Sequence, residues 1–149
     1  MLNWINSNLK AARETLATEV SKFRNQTFMH AAVNACALIA AADGEITGPE
    51  KLKMTGFIKN SPELKIFPIE DILKVFNDSV AKFEFDFHIG QAEALKAIGK
   101  LKGKEAESRL IVRLAIAIGG SDGTFDDKER ASCRLIALDL GLNPADFDL

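Results

Sequence analysis

The sequence is poor in the features that mark out several protein classes. Its 149 residues hold two cysteines, Cys36 and Cys133, far apart and in no CxxC pair. That is too few for a disulfide framework and points to a reducing compartment. There is no tyrosine, and the one tryptophan is Trp4. The longest apolar run, Ala35 to Ala42, lies between Asn34 and Asp43, far short of the roughly 18 residues that mark a candidate membrane-spanning helix. The first segment, Met1 to Val20, lacks the continuous apolar core of a secretion signal and is broken by Lys10, Arg13, Glu14 and Glu19. Neither sign of charge is in excess. Nineteen Lys and Arg stand against 21 Asp and Glu, for a net charge of −2, which removes the electrostatic case for nucleic-acid binding. The expectation is a cytoplasmic protein with no nucleic-acid partner and no direct membrane insertion.

Catalytic signatures are missing too. No G-x-S-x-G follows a strand pattern, as a nucleophile elbow requires, and there is no phosphate loop or HExxH motif. His30 and His88 each lack a second His or Cys at ligand spacing and are expected in surface or packing roles. No enzyme activity is expected of the chain alone. No segment combines clean alternation with β-branched enrichment, so no sheet is expected.

What remains is an ordinary folded composition, 47% hydrophobic and 27% charged, of a length that suits one domain over residues 1–149. Apolar residues recur every three or four positions, as amphipathic helices require. Leu2, Ile5, Leu9, Ala12, Leu16, Val20 and Phe23 mark a first helix. Phe28, Ala32, Cys36 and Ile39 mark a second, ending near Asp43-Gly44. A third runs from about Pro49 to Lys59. Ile69, Ile72, Leu73, Phe76, Val80 and Phe83 mark a fourth. A fifth covers Asp86 to Lys102, with Gly103 placed as a C-terminal cap. The sixth, Lys104 to Gly119, is apolar on nearly every side from Leu110 to Ile118 and should be buried. The seventh runs from Asp127 to Leu140, and Asn143-Pro144 opens a final turn. Phe83-Glu84-Phe85-Asp86-Phe87 alternates over too short a span for a strand and reads as a connection with its phenylalanines inward. Cys36 falls on an apolar face and should be core, while Cys133 is expected to be partly exposed.

The chain also repeats itself. At an offset of 79 residues, which places Asp43 on Asp122, the run Ala40 to Lys51 faces Gly119 to Arg130. Asp, Gly, an apolar residue, Glu and a basic residue coincide. Upstream, Val33 matches Val112 and Ile39 matches Ile118. Each copy reads helix, Asp-Gly turn, helix, in halves centred on residues 28–58 and 107–137. The fold class expected is therefore all-α: a single bundle of about seven helices with a pseudo-twofold repeat of helical hairpins.

Two chemistries suit these turns. In the local one, Gly44 and Gly123 end a helix at positive φ and Ile46 and Phe125 plug the loop into the core. Thr47 and Asp126 then cap the next helix, with Glu50 and Glu129 at capping-box spacing. In the other, Asp-Gly-x-apolar-x-x-x-Glu is the second half of an EF-hand calcium loop. The first half is absent, because Ile39 and Ala41, or Ile118 and Gly120, stand where its first ligands belong. Neither loop alone can form a cage. Together they offer Asp43, Glu50, Asp122 and Glu129, with Asp126 and Asp127 nearby. Such a set repels itself unless a cation or several donors neutralise it. Its oxygen donors favour Mg²⁺, Ca²⁺ or Mn²⁺ over Zn²⁺, though carboxylates also bind Zn²⁺, and the four are not distinguished.

The hairpin pair, with Lys22-Phe23-Arg24-Asn25, Phe85-Asp86-Phe87, Ser121 to Asp127 and the closing Gly141 to Phe147, resembles the TerB family of tellurite-resistance proteins over nearly the whole chain. That resemblance implies a helical bundle and a cytoplasmic role in tellurite resistance and chemical-stress response. It implies a metal site at Asp43, Glu50, Asp122 and Glu129. It also implies protein partners of the Ter system, among them the membrane protein TerC, which would hold the chain peripherally at the inner membrane. The first copy departs from the second, with Gly48-Pro49 where Asp127-Lys128 stand. Two functions follow as expectations: a divalent-cation-binding adaptor, or a metal-free scaffold whose acidic end docks a basic partner.

Overall fold

The computed structural model describes residues 14–18, 25–60, 64–120 and 125–149. Within them it is all-helical, with no strand. Residues 14–18 are helical; most of the expected first helix lies outside the described residues, as do Ser61, Pro62, Asp122 and Gly123. Six α-helices follow: α1 (Gln26–Ala40), α2 (Gly48–Asn60), α3 (Ile69–Phe85), α4 (Phe87–Gly99), α5 (Glu105–Gly119) and α6 (Asp127–Asp139). A 3₁₀ turn at Pro144–Phe147 closes the chain.

Helix α1 is the axis of the bundle, in contact with every other α-helix described. Asn25 starts it by accepting the Phe28 N–H at 2.8 Å. From Phe28 to Ala40 every residue but His30 is buried. Its alanines at 31, 32, 35, 37 and 40 keep the surface low, so neighbouring helices can approach closely. Helix α5 is the second buried element, as its apolar run requires; from Leu110 to Gly119 only Arg113 is exposed.

The Phe83–Phe87 stretch differs from its expectation. Helix α3 continues through Phe85, and Asp86 alone separates it from α4. Asp86 adopts φ −161°, ψ 125°, donates its N–H to Lys82 O and accepts from Ile89 N at 3.0 Å. One extended residue thus ends one helix and caps the next. Residues two apart on a helix lie on nearly opposite sides. Phe83 is therefore buried while Phe85 is 82% exposed. The return is tight: a Cβ on Gly90 would fall 2.5 Å from the Phe83 ring.

Helix α6 ends in a Schellman arrangement. Gly141, at φ 76°, donates to Leu138 O, and Leu142 N donates to Ala137 O. Ile46 and Phe125, the expected plugs, are partly buried against the core.

Candidate functional site

Local chemistry sets the described helix ends beside both turns. Helix α1 runs out into a turn in which Gly44, at φ 102°, donates to Ala41 O at 2.9 Å. Asp43 is exposed and reaches over its own turn, with Oδ1 3.5 Å from Glu45 N. Helix α2 opens with a reciprocal cap: Glu50 N donates to Thr47 Oγ1 at 3.3 Å, and Thr47 N donates to Glu50 Oε1 at 3.0 Å. Helix α6 opens the same way. Glu129 N donates to Asp126 Oδ1 at 2.7 Å, and Asp126 N donates to Glu129 Oε1 at 3.0 Å. Thr and Asp, three residues ahead of Glu, satisfy helix-end donors that would otherwise be orphaned.

The two turn ends line one pocket of about 550 Å³. Four of the five expected site residues, Asp43, Glu50, Asp126 and Glu129, are in its wall. The fifth, Asp122, lies outside the described residues. Positions matched by the 79-residue offset recur across the pocket: Ile39 with Ile118, Ala40 with Gly119, Glu50 with Glu129. Asp127, a reserve ligand in the sequence reading, is exposed and not part of the wall. Phe125 sits so closely on Gly119 that a Cβ there would meet its ring at 2.8 Å.

Lys53 and Lys128 also line the pocket, as do Met54 and Phe57. Sequence reasoning missed all four. Lys53, Met54 and Phe57 follow Glu50 by three, four and seven residues, so a helical face drawn from Glu50 would have found them. The wall thus combines four carboxylates, two ammonium groups and an apolar surface.

As a metal site this donor set is incomplete. Among the described residues no three His, Cys, Asp or Glu side chains stand close enough to hold an ion. Glu50 and Glu129 each give Oε1 to a cap, although a carboxylate has a second oxygen that a cap does not consume. The acidic residues suit a hard cation in type, and the described geometry gathers them without forming a cage.

Cys133, one turn beyond Glu129 on α6, is fully buried rather than partly exposed. The residue packs inward with Ile136 and Ala137. Burial first, and the Glu129 carboxylate second, push its thiol well above the ordinary range. The reactive thiolate is thereby suppressed. Cys36 is buried as expected.

Comparisons with known proteins identify a family and a relative. The family described as "Tellurite resistance protein TerB" matches residues 29–149. A protein of Alcaligenes sp named "Tellurium resistance protein TerB" is 38% identical over 108 residues, covering 72% of this chain and 88% of that relative. No solved structure matches the chain.

Proposed function

This chain belongs to the tellurite resistance protein TerB family, and from that premise we propose that it serves tellurite resistance as a cytoplasmic, non-enzymatic adaptor whose paired-turn pocket takes a divalent cation. The observation that carries this reading is the meeting of Asp43, Glu50, Asp126 and Glu129, from two separate hairpins, in one pocket wall. Asp122 would complete the ligand set. A cation bound there would neutralise the acidic turn ends and tie the two hairpins together. The protein's own residues supply the rest: the capping boxes hold each Glu at the first turn of its helix, and Lys53 and Lys128 temper the charge. No described helix is long and apolar enough to cross a membrane, so a membrane protein such as TerC would be reached through a docking surface.

A second reading has its own support. Both glutamates already serve caps, and Met54 and Phe57 make part of the pocket apolar. A volume of about 550 Å³ falls within the range of roughly 300–1,000 Å³ usual for ligand pockets. A basic, partly apolar segment of a partner protein suits that wall without any metal.

Titration of demetallated protein with Ca²⁺, Mg²⁺, Mn²⁺ and Zn²⁺ separates the two. The cation reading expects stoichiometric binding and a raised melting temperature. Saturation at 100 times Kd stabilises by about 2.7 kcal/mol. Asp122→Asn should weaken both effects. No binding at millimolar cation, or binding unchanged by both Asp122→Asn and Glu129→Gln, would leave the scaffold reading in place.

A further inference from the structure

A second pocket, of about 270 Å³, lies between α1, α3 and α4 and shares no lining residue with the acidic one. Its chemistry is the reverse. Lys82 comes from the last turn of α3; Lys96 and Lys100 stand four residues apart at the end of α4; His30 comes from α1. Among the described residues none of these three lysines forms an ion pair. Two acids share the wall. Asp78 is drawn to Lys74, outside the pocket, at 3.3 Å. Glu93 is the one opposing carboxylate left, and it too is in no ion pair among the described residues.

Asn34 and Ser79 also line this pocket, at 8% and 5% exposure. Both sit on otherwise apolar helix faces, where a buried polar group is costly unless it is hydrogen-bonded. Asn34 donates one amide hydrogen to His30 O at 2.8 Å, and an amide nitrogen carries two. Three lysines, a serine hydroxyl and an amide with a second hydrogen to donate therefore line one small cavity. Like charges held together favour an anion between them. The cavity lies below the roughly 300–1,000 Å³ of drug-sized sites, which suits a compact ion and its water rather than a nucleotide.

We propose that this pocket is a binding site for a small oxyanion, held by Lys82, Lys96 and Lys100 with Asn34 and Ser79 as neutral donors. Lysines act as point charges rather than forks. The site therefore selects charge and size more than the identity of the central atom. Because the lysines are exposed, affinity falls with ionic strength. Glu93 weakens it.

The test is an amide-resolved NMR titration of the full chain at constant ionic strength, with inorganic phosphate in one arm, tellurite in a second and chloride in a third. Saturable shifts confined to residues around 30, 34, 79 and 96 are expected in at least one oxyanion arm and absent with chloride. Lys96→Gln should weaken binding several-fold and Glu93→Gln should tighten it; both positions are exposed, so folding is not at stake. Saturation in both oxyanion arms identifies a site for oxyanions at large; saturation by tellurite alone identifies one tied to the toxic ion. Non-saturable shifts in both arms, an equal response to chloride, or variants that bind as the parent does would overturn the proposal. Neither oxyanion arm depends on the acidic pocket, so this result stands or falls apart from the cation reading.

Discussion

Glu50 and Glu129 do the same work in two helices: each accepts, through Oε1 at 3.0 Å, the backbone N–H of the residue three positions before it. They also face one pocket. The reciprocal bonds are unequal, 3.3 Å from Glu50 N to Thr47 and 2.7 Å from Glu129 N to Asp126. The second cap joins an ionised acceptor to the helix N-terminus, where negative charge is favoured.

That inequality predicts an order of mutational cost. Asp126→Ala should destabilise by about 1–2 kcal/mol and Thr47→Ala by about 0.5–1 kcal/mol, within the span known for N-caps. Glu129→Gln should cost less than either, since Gln can close the box. Urea denaturation midpoints of the three variants, without added cation, check the ranking.

Gly90 and Gly56 should respond to alanine in opposite directions. A Cβ on Gly90 would meet the Phe83 ring at 2.5 Å and its Cα at 2.6 Å. Backbone cannot swing aside, so Gly90→Ala should cost about 1–3 kcal/mol by overpacking. Gly56 lies within α2 with nothing inside 4 Å of its Cβ position; Gly56→Ala should gain up to about 1 kcal/mol from helix propensity. Thermal melts of the pair decide it.

Cys133 makes stability depend on alkaline pH. Its folded thiol is raised above the ordinary value of 9.0, so above that pH the unfolded chain loses a proton that the native chain keeps. The stabilisation is whole below pH 9 and declines as pH rises further, by at most about 1.4 kcal/mol per unit. Cys133→Ala should flatten that decline in denaturation series between pH 8 and 10. Native protein should also react slowly with a thiol reagent at pH 7.5, and quickly once unfolded.

The C-terminal turn should be a structural clamp. Phe147, 3% exposed, lies beneath the guanidinium groups of Arg109 and Arg113, 5.2 and 5.9 Å from its ring centre. Arg109 also reaches Asp146 at 3.7 Å, and Arg130 donates to Asp148 O at 2.6 Å. Phe147→Ala should cost about 3–5 kcal/mol, whereas Asp146→Asn, at a half-exposed ion pair, should cost under about 1 kcal/mol. Chemical denaturation separates the two.

Much of this protein is set by interactions within a few residues of chain, and those are legible in the sequence. Helices α1 and α3 follow from apolar residues three and four apart, and the burial of α5 follows from its apolar run. Both capping boxes follow from Thr47 and Asp126 three residues before a Glu. The offset of Asp43 onto Asp122 pointed to paired hairpins, and the wall shared by Ile39, Ile118, Glu50 and Glu129 is where their ends come together. What the tertiary structure alone decided depends on residues distant in sequence. Phe85 is thrown outward because α3 continues through it, which puts it nearly opposite the buried Phe83. Cys133 is buried because its side of α6 is the side that packs inward. His30, Asn34, Ser79, Lys82, Lys96 and Lys100 are unremarkable in order along the chain, since their meeting depends on how three helices cross. Local spacing determines which backbone groups a side chain can reach; only the packing of one helix on another determines which charges end up facing the same cavity.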